Sequence, residues 1–92
     1  MVKRVYFLAH GGTVQGVGFR SFTRHQAVEH KLTGWVRNTD NNKVEGEAQG
    51  EEDAITAFLK HVNKGPWLAE VVRLDKEDRE VVGGEAEFEI RH

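Results

Sequence analysis

Between Val44 and Gln49 the chain alternates without a break, with Val44, Gly46 and Ala48 on one side of an extended segment and Glu45, Glu47 and Gln49 on the other. A strand of that pattern keeps one face in a core and the other in water, so the sheet that holds it has one wet side. The same period of two runs through Val5, Phe7 and Ala9 against Tyr6 and Leu8, and stops at the paired glycines Gly11 and Gly12. Trp35-Val36-Arg37 lies across Thr39-Asp40-Asn41-Asn42 from the Val44 segment. That cluster of turn formers makes the pair a β-hairpin.

Two stretches change period. From about Arg20 to Lys31 glycine is absent, and Phe22, Ala27 and Val28 leave an apolar helical stripe. The second is sharper: Glu51-Glu52-Asp53 supplies an acidic first turn, and Ile55, Phe58, Leu59 and Val62 recur at i, i+3, i+4 and i+7. Lys60, His61 and Lys64 occupy the last turns before Gly65 offers a left-handed cap and Pro66 blocks continuation. Val71, Val72 and Leu74 suggest a fourth strand, Glu77 to Gly84 a polar connection, and Ala86, Phe88 and Ile90 a fifth strand whose glutamates face water.

These patterns predict an α+β protein with the order β-α-β-β-α-β and a returning last strand. The arrangement that satisfies all of them is a ferredoxin-like open-faced sandwich, an antiparallel sheet with two helices on one face. The expected core is Val5, Phe7, Phe22, Val36, Val44, Ile55, Phe58, Leu59, Val71, Phe88 and Ile90. At 92 residues the chain is read as one domain, 1–92, with a core that is small but sufficient. With 13 basic and 15 acidic residues the net charge of −2 argues against a nucleic-acid partner. There is no cysteine for disulfides or thiolate chemistry, and the opening Met1-Val2-Lys3-Arg4-Val5 lacks the apolar run of a signal peptide. The expectation is a cytoplasmic monomer that engages no membrane.

The chemistry concentrates in Gly11 to Arg20, where four glycines and an arginine separate the first strand from the first helix. Gly16 and Gly18 permit positive φ and bring backbone N–H groups onto one concave face, at which the following helix points its positive end. Arg20 adds a charged planar fork matched to phosphate or carboxylate oxygens. The plainer reading is a glycine-rich turn with an exposed arginine. No Lys-Ser or Lys-Thr follows the loop as a Walker loop needs, and the glycine spacing is not the Rossmann one. Asn38, on its own, reads first as a turn-forming residue at a strand end. The histidines His10, His25, His30, His61 and His92 have no metal-ligand spacing and are read as surface or edge residues, and Trp67 as a partly exposed anchor.

Taken together, Gly12-Thr13-Val14-Gln15-Gly16-Val17-Gly18-Phe19-Arg20, Thr33-Gly34-Trp35-Val36-Arg37-Asn38 and Val44 to Gly50 closely resemble the signature segments of the acylphosphatases. The resemblance extends over the whole chain, including Lys64-Gly65-Pro66 and the final strand. It implies a small ferredoxin-like hydrolase that cleaves the carboxyl–phosphate bond of acyl phosphates without metal or cofactor. By motif position, the backbone of Gln15, Gly16, Val17, Gly18, Phe19 and Arg20 would cradle the phosphoryl group. The Arg20 side chain would bind its oxygens, and Asn38 would hold the attacking water. A small acyl phosphate is the implied substrate, with inorganic phosphate or sulfate as competing anions.

The chain departs from the family pattern at three places. Gly11 and Gly12 are paired where a single glycine is usual, which suggests a bulge or a shifted register. Asn42 stands where the hairpin tip has glycine, and asparagine tolerates positive φ. His30-Lys31 replaces what is commonly Leu-Gly, placing a side chain at an expected left-handed cap. Two other functions fit the element order. A non-catalytic module on the same fold is disfavoured because the chain carries its own fifth strand. An RNA-recognition domain needs aromatics on the open sheet, where the third strand offers Glu45, Glu47 and Gln49.

Overall fold

A computed structural model describes residues 1–11, 18–66 and 69–92. The elements are β1 (Val2–His10), α1 (Phe19–Glu29), β2 (Thr33–Asn38), β3 (Val44–Glu51), α2 (Glu52–Lys64), β4 (Arg73–Arg79) and β5 (Phe88–Arg91). The strands form one sheet in the order β4-β1-β3-β2-β5. Three pairings are antiparallel, as expected, whereas β5 runs parallel to β2. Both helices pack on one face, so the open-faced sandwich is present. Among the described residues no helix is long and apolar enough to cross a membrane.

The alternation in β1 and β3 decides which face is covered. Val5, Phe7 and Ala9 are buried beside Val44 and Ala48, and α2 lays Ile55, Phe58, Leu59 and Val62 over them. The Phe58 ring meets Phe7 edge-on at 5.5 Å and Phe88 at 6.1 Å. Phe7 sits opposite Gly46 in the register, and a Cβ on Gly46 would come within 2.6 Å of the Phe7 ring. The glycine there makes room for the ring.

The helix α1 differs from expectation in its buried stripe, which is Phe19, Thr23 and Ala27 rather than Phe22, Ala27 and Val28. Phe22 is half-buried and Val28 is 53% exposed. The core therefore contains a threonine, whose methyl and backbone suit the space although its hydroxyl finds no partner among the described residues. At the other end of α1 the Lys31 N–H donates to the Val28 carbonyl (3.1 Å) and the Leu32 N–H to Ala27 (2.9 Å). This is a Schellman closure with Lys31 in its left-handed position, at φ 58°. Asn42 at the hairpin tip has φ 62°. Both non-glycine positions expected at positive φ thus adopt it.

The fourth strand lies further along the chain than the hydrophobic residues suggested. Val72 is 68% exposed and precedes β4, which runs through the segment expected to be a polar connection. As an edge strand with little covered surface, β4 needs no apolar alternation. Val71 and Ile90 flank the core partly buried. Ala86 is exposed ahead of β5, and Glu85 is turned into the structure instead of facing water.

That glutamate helps to tie down the crossing from β4 to β5, which passes over one end of the open face. Arg4, only 4% exposed, donates to Glu47 (2.5 Å), Gln49 (3.1 Å) and Glu85 (2.8 Å). Gln49 in turn exchanges two 2.8 Å hydrogen bonds with the backbone of Val82. The open face does carry aromatics, Tyr6 and Trp35. Arg79 lies over Tyr6 at 4.7 Å and Arg91 over Trp35 at 4.9 Å, so these rings are covered by the protein's own cations.

Candidate active site

Gly18 is the residue before α1 and adopts φ 73°, ψ 19°, a left-handed conformation that glycine takes without a Cβ penalty. It turns the chain into the helix, and its carbonyl accepts the first helical hydrogen bond, from the Phe22 N–H (2.9 Å). The N–H groups of Phe19, Arg20 and Ser21 fall in the first turn, where the helix itself offers them no partner. Glycine has no side chain with which to cap them. The positive end of α1 thus lies at Gly18, with no side-chain cap among the described residues. Gly12 to Val17, which include the loop residues Gln15, Gly16 and Val17, lie outside the described residues, as does Trp67.

Phe19 contributes two things: its ring is buried in the core, anchoring the first turn, while its backbone borders the site. Arg20, next in the helix, extends toward the end of β5, with Nη1 3.5 Å from the Arg91 carbonyl oxygen and 3.3 Å from His92 Nδ1. Among the described residues no carboxylate forms an ion pair with it.

Asn38 ends β2, with its partner Val44 across the hairpin and the parallel strand β5 on the other side. Because Val36 of the same strand points into the core, Asn38 also points toward the helices. Its Oδ1 is buried and has no hydrogen-bond partner among the described residues. A buried amide oxygen in that state is an acceptor suited to an incoming donor.

These parts meet in one cavity of about 240 Å³, lined by Gly18, Phe19, Arg20, Ser21, Asn38, Ile90 and His92. The structure thus brings together four of the residues singled out in the sequence. It adds Ser21, Ile90 and His92, which the sequence reading missed. The signal for His92 lay in topology: Arg37 pairs with Arg91, so the residue after β5 comes to stand beside Asn38. Among the described residues there is no group of three or more acidic or histidine side chains placed to hold a metal ion. The charges nearby on the open face are mutually engaged. Burial alone would raise the Glu45 carboxyl, but hydrogen bonds from Tyr6 (2.7 Å) and Arg37 (2.6 Å) outweigh it and hold the group below its ordinary range. Burial, and next the same bond to Glu45, push the Tyr6 phenol up to about 12.

Comparison with known proteins identifies the family and the fold. The family model described as Acylphosphatase matches residues 5–90. An acylphosphatase of Geobacillus thermodenitrificans (strain NG80-2) is 45% identical over 91 residues, covering 99% of this chain and 96% of that one. The crystal structure of acylphosphatase from Bacillus subtilis superposes with a TM-score of 0.92 at 34% identity, covering all of both chains. An acylphosphatase from Coxiella burnetii gives 0.90 at 36% identity, covering 98% of this chain and 93% of that one.

Proposed function

The chain belongs to the acylphosphatase family and hydrolyses acyl phosphates to a carboxylate and inorganic phosphate, and from that premise we propose how its site divides the work. The backbone N–H groups of Gln15 to Arg20 and the Arg20 guanidinium hold the phosphoryl oxygens. Asn38 orients the water that attacks phosphorus. The carboxylate departs with the electron pair of the broken phosphorus–oxygen bond. An acyl phosphate brings its own good leaving group, so no covalent nucleophile is needed. A loose phosphoryl transition state asks for charge stabilisation and positioning. Arg20 and the first turn of α1 supply the first. Asn38 supplies the second, since an amide both accepts and donates but cannot remove a proton. The water's proton passes to a non-bridging oxygen of the substrate's own phosphoryl group.

The observation that carries this reading is one cavity in which the first turn of α1, Arg20 and an Asn38 oxygen with no partner among the described residues come together. No step calls on a metal ion, so activity should be indifferent to EDTA and to added magnesium. Phosphate and sulfate should compete with substrate. The deciding experiment is phosphate release from acetyl phosphate by the wild type and by Arg20→Gln, with and without chelator. Removing the side-chain cation should lower turnover by about 10²–10³ in a folded variant, the usual loss for such a stabiliser. Retention of more than about a tenth of kcat/KM, one power of ten or about 1.4 kcal/mol, would remove Arg20 from the site. Loss of activity on chelation would overturn the metal-free mechanism.

A further inference from the structure

The hydrolysed bond has two sides, and the cavity at Arg20 accounts for the phosphoryl side only. Adjacent to it, with Asn38 and His92 lining both, is an open groove of about 670 Å³ at the end of the uncovered sheet face. Its described lining comprises Tyr6 and Leu8 from β1, Arg37 at the end of β2, Glu45 of β3, and Asp40 and Lys43 of the hairpin. Leu8 is half-buried although it lies on the open face of the sheet, in register between Glu45 and Asp75.

The charges around Leu8 cancel. Arg37 and Lys43 stand with Asp40 and Glu45, and Glu45 is already held by Arg37 (2.6 Å) and by the Tyr6 hydroxyl (2.7 Å). Tyr6 stays a neutral phenol, with its proton kept by burial and by that bond to Glu45. The groove therefore has a neutral, partly apolar floor and no net field to attract a second anion.

We propose that this groove receives the acyl half of the substrate and that Leu8 is a specificity-determining residue favouring uncharged, apolar acyl groups. The geometry follows from the shared border at Asn38 and His92: a substrate whose phosphoryl group sits at Arg20 has its carbonyl carbon one bridging oxygen from phosphorus. An acyl chain leaving past Asn38 enters the groove. Aromatic or branched acyl groups meet Leu8 and Tyr6, while an acyl group as short as acetyl ends before them. A carboxylate on the acyl chain gains nothing, because the cations it would meet already have acidic neighbours.

The inference rests on the acyl phosphate reading above, and its test uses ratios between substrates so that the two can fail separately. Values of kcat/KM for acetyl, benzoyl and succinyl phosphate are measured for the wild type, Leu8→Ala and Leu8→Lys, with circular dichroism melts to establish folding. Leu8→Ala should lower the benzoyl-to-acetyl ratio by about tenfold relative to wild type, the discrimination that a few methylenes of an apolar pocket supply. Leu8→Lys should lower the same ratio and raise the succinyl-to-acetyl ratio, a gain that misfolding cannot imitate. Ratios unchanged within about twofold in both variants, on a scale where tenfold is about 1.4 kcal/mol, overturn the groove as the acyl subsite. Failure of the wild type to release phosphate from any of the three overturns the acyl phosphate reading itself.

Discussion

Lys31 occupies a position built for glycine, and replacing it should make the protein more stable. The residue has φ 58° in the closure of α1, with its N–H on Val28 and the Leu32 N–H on Ala27. An L-residue in the left-handed region carries a Cβ penalty of about 1–2 kcal/mol. Glycine has none, but it loses more chain entropy on folding, which offsets about 0.5–1 kcal/mol of the gain. The net for Lys31→Gly is a stabilisation of about 0.5–1 kcal/mol. In a domain of this length that raises the melting temperature by about 2–8 °C. With a urea m-value of about 1 kcal/mol/M, the midpoint rises by about 0.5–1 M. Lys31→Ala is the control, since it removes the same charge and leaves the Cβ in place, and it should give none of this gain. Activity on acetyl phosphate should not change, because Lys31 lies at the far end of α1 from Gly18 and Arg20. A midpoint lowered by Lys31→Gly, or raised equally by both variants, would refute the left-handed cap as the source of strain.

Asn38→Ala should cut turnover by about 10²–10³ while inorganic phosphate still inhibits at a similar concentration, because the water loses its guide and the anion cradle keeps its donors. Equal loss of turnover and phosphate affinity, at an unchanged melting temperature, would place Asn38 on the anion instead. Asp75, bonded by Arg73 (2.8 Å) and by His10 (2.7 Å), has its carboxyl lowered to about 2, chiefly by the Arg73 bond and then by His10. A folded-state value below the unfolded one of about 3.9 means the stabilisation is complete above that pH and is lost as pH falls through the folded value. Asp75→Asn should therefore flatten the fall in melting temperature between about pH 4 and pH 2, and a slope there identical to wild type would contradict the pairing.

What could be read in the sequence was set by how locally each feature is encoded. The helix α2 announces itself through Ile55, Phe58, Leu59 and Val62 and through Gly65-Pro66, since every signal lies within one element. Lys31 and Asn42 were expected at positive φ because the acylphosphatase pattern commonly has glycine at both, and a left-handed cap and a hairpin tip are decided within a few residues. In α1 the stripe was misplaced by one helix face. Its middle member, Thr23, is polar by type though buried in fact, and Phe19 had been assigned to the loop. The strand β4 was hidden because its pairing with β1 alone, and no run of apolar residues, makes it a strand.

The site divides in the same way. Gly18 and Arg20 stood out in their own segment, Phe19 and Asn38 entered through the resemblance to the acylphosphatases, and the structure brings all four to one cavity. His92 reaches it only through the parallel pairing of β2 with β5, between segments more than fifty residues apart in the chain. Arg4 shows the converse. An arginine near the start of a strand reads as a surface charge, and only the crossing from β4 to β5 buries it.

The charges that concealed β4 have a consequence of their own. Its sequence, Arg73-Leu74-Asp75-Lys76-Glu77-Asp78-Arg79, lies at one margin of the sheet, bonded to β1 on one side and, among the described residues, with no strand on the other. A row of unpaired backbone donors and acceptors is a template on which a second molecule can extend the sheet, the first step of aggregation. Here an arriving strand would have to strip water from six ionised side chains in a run of seven residues. The resulting contact would gain only Leu74 as apolar surface. At the opposite margin β5 offers just four residues, among them Glu89 and Arg91. The sheet thus ends on both sides in short or highly charged segments, which oppose edge-to-edge extension of the sheet by another copy.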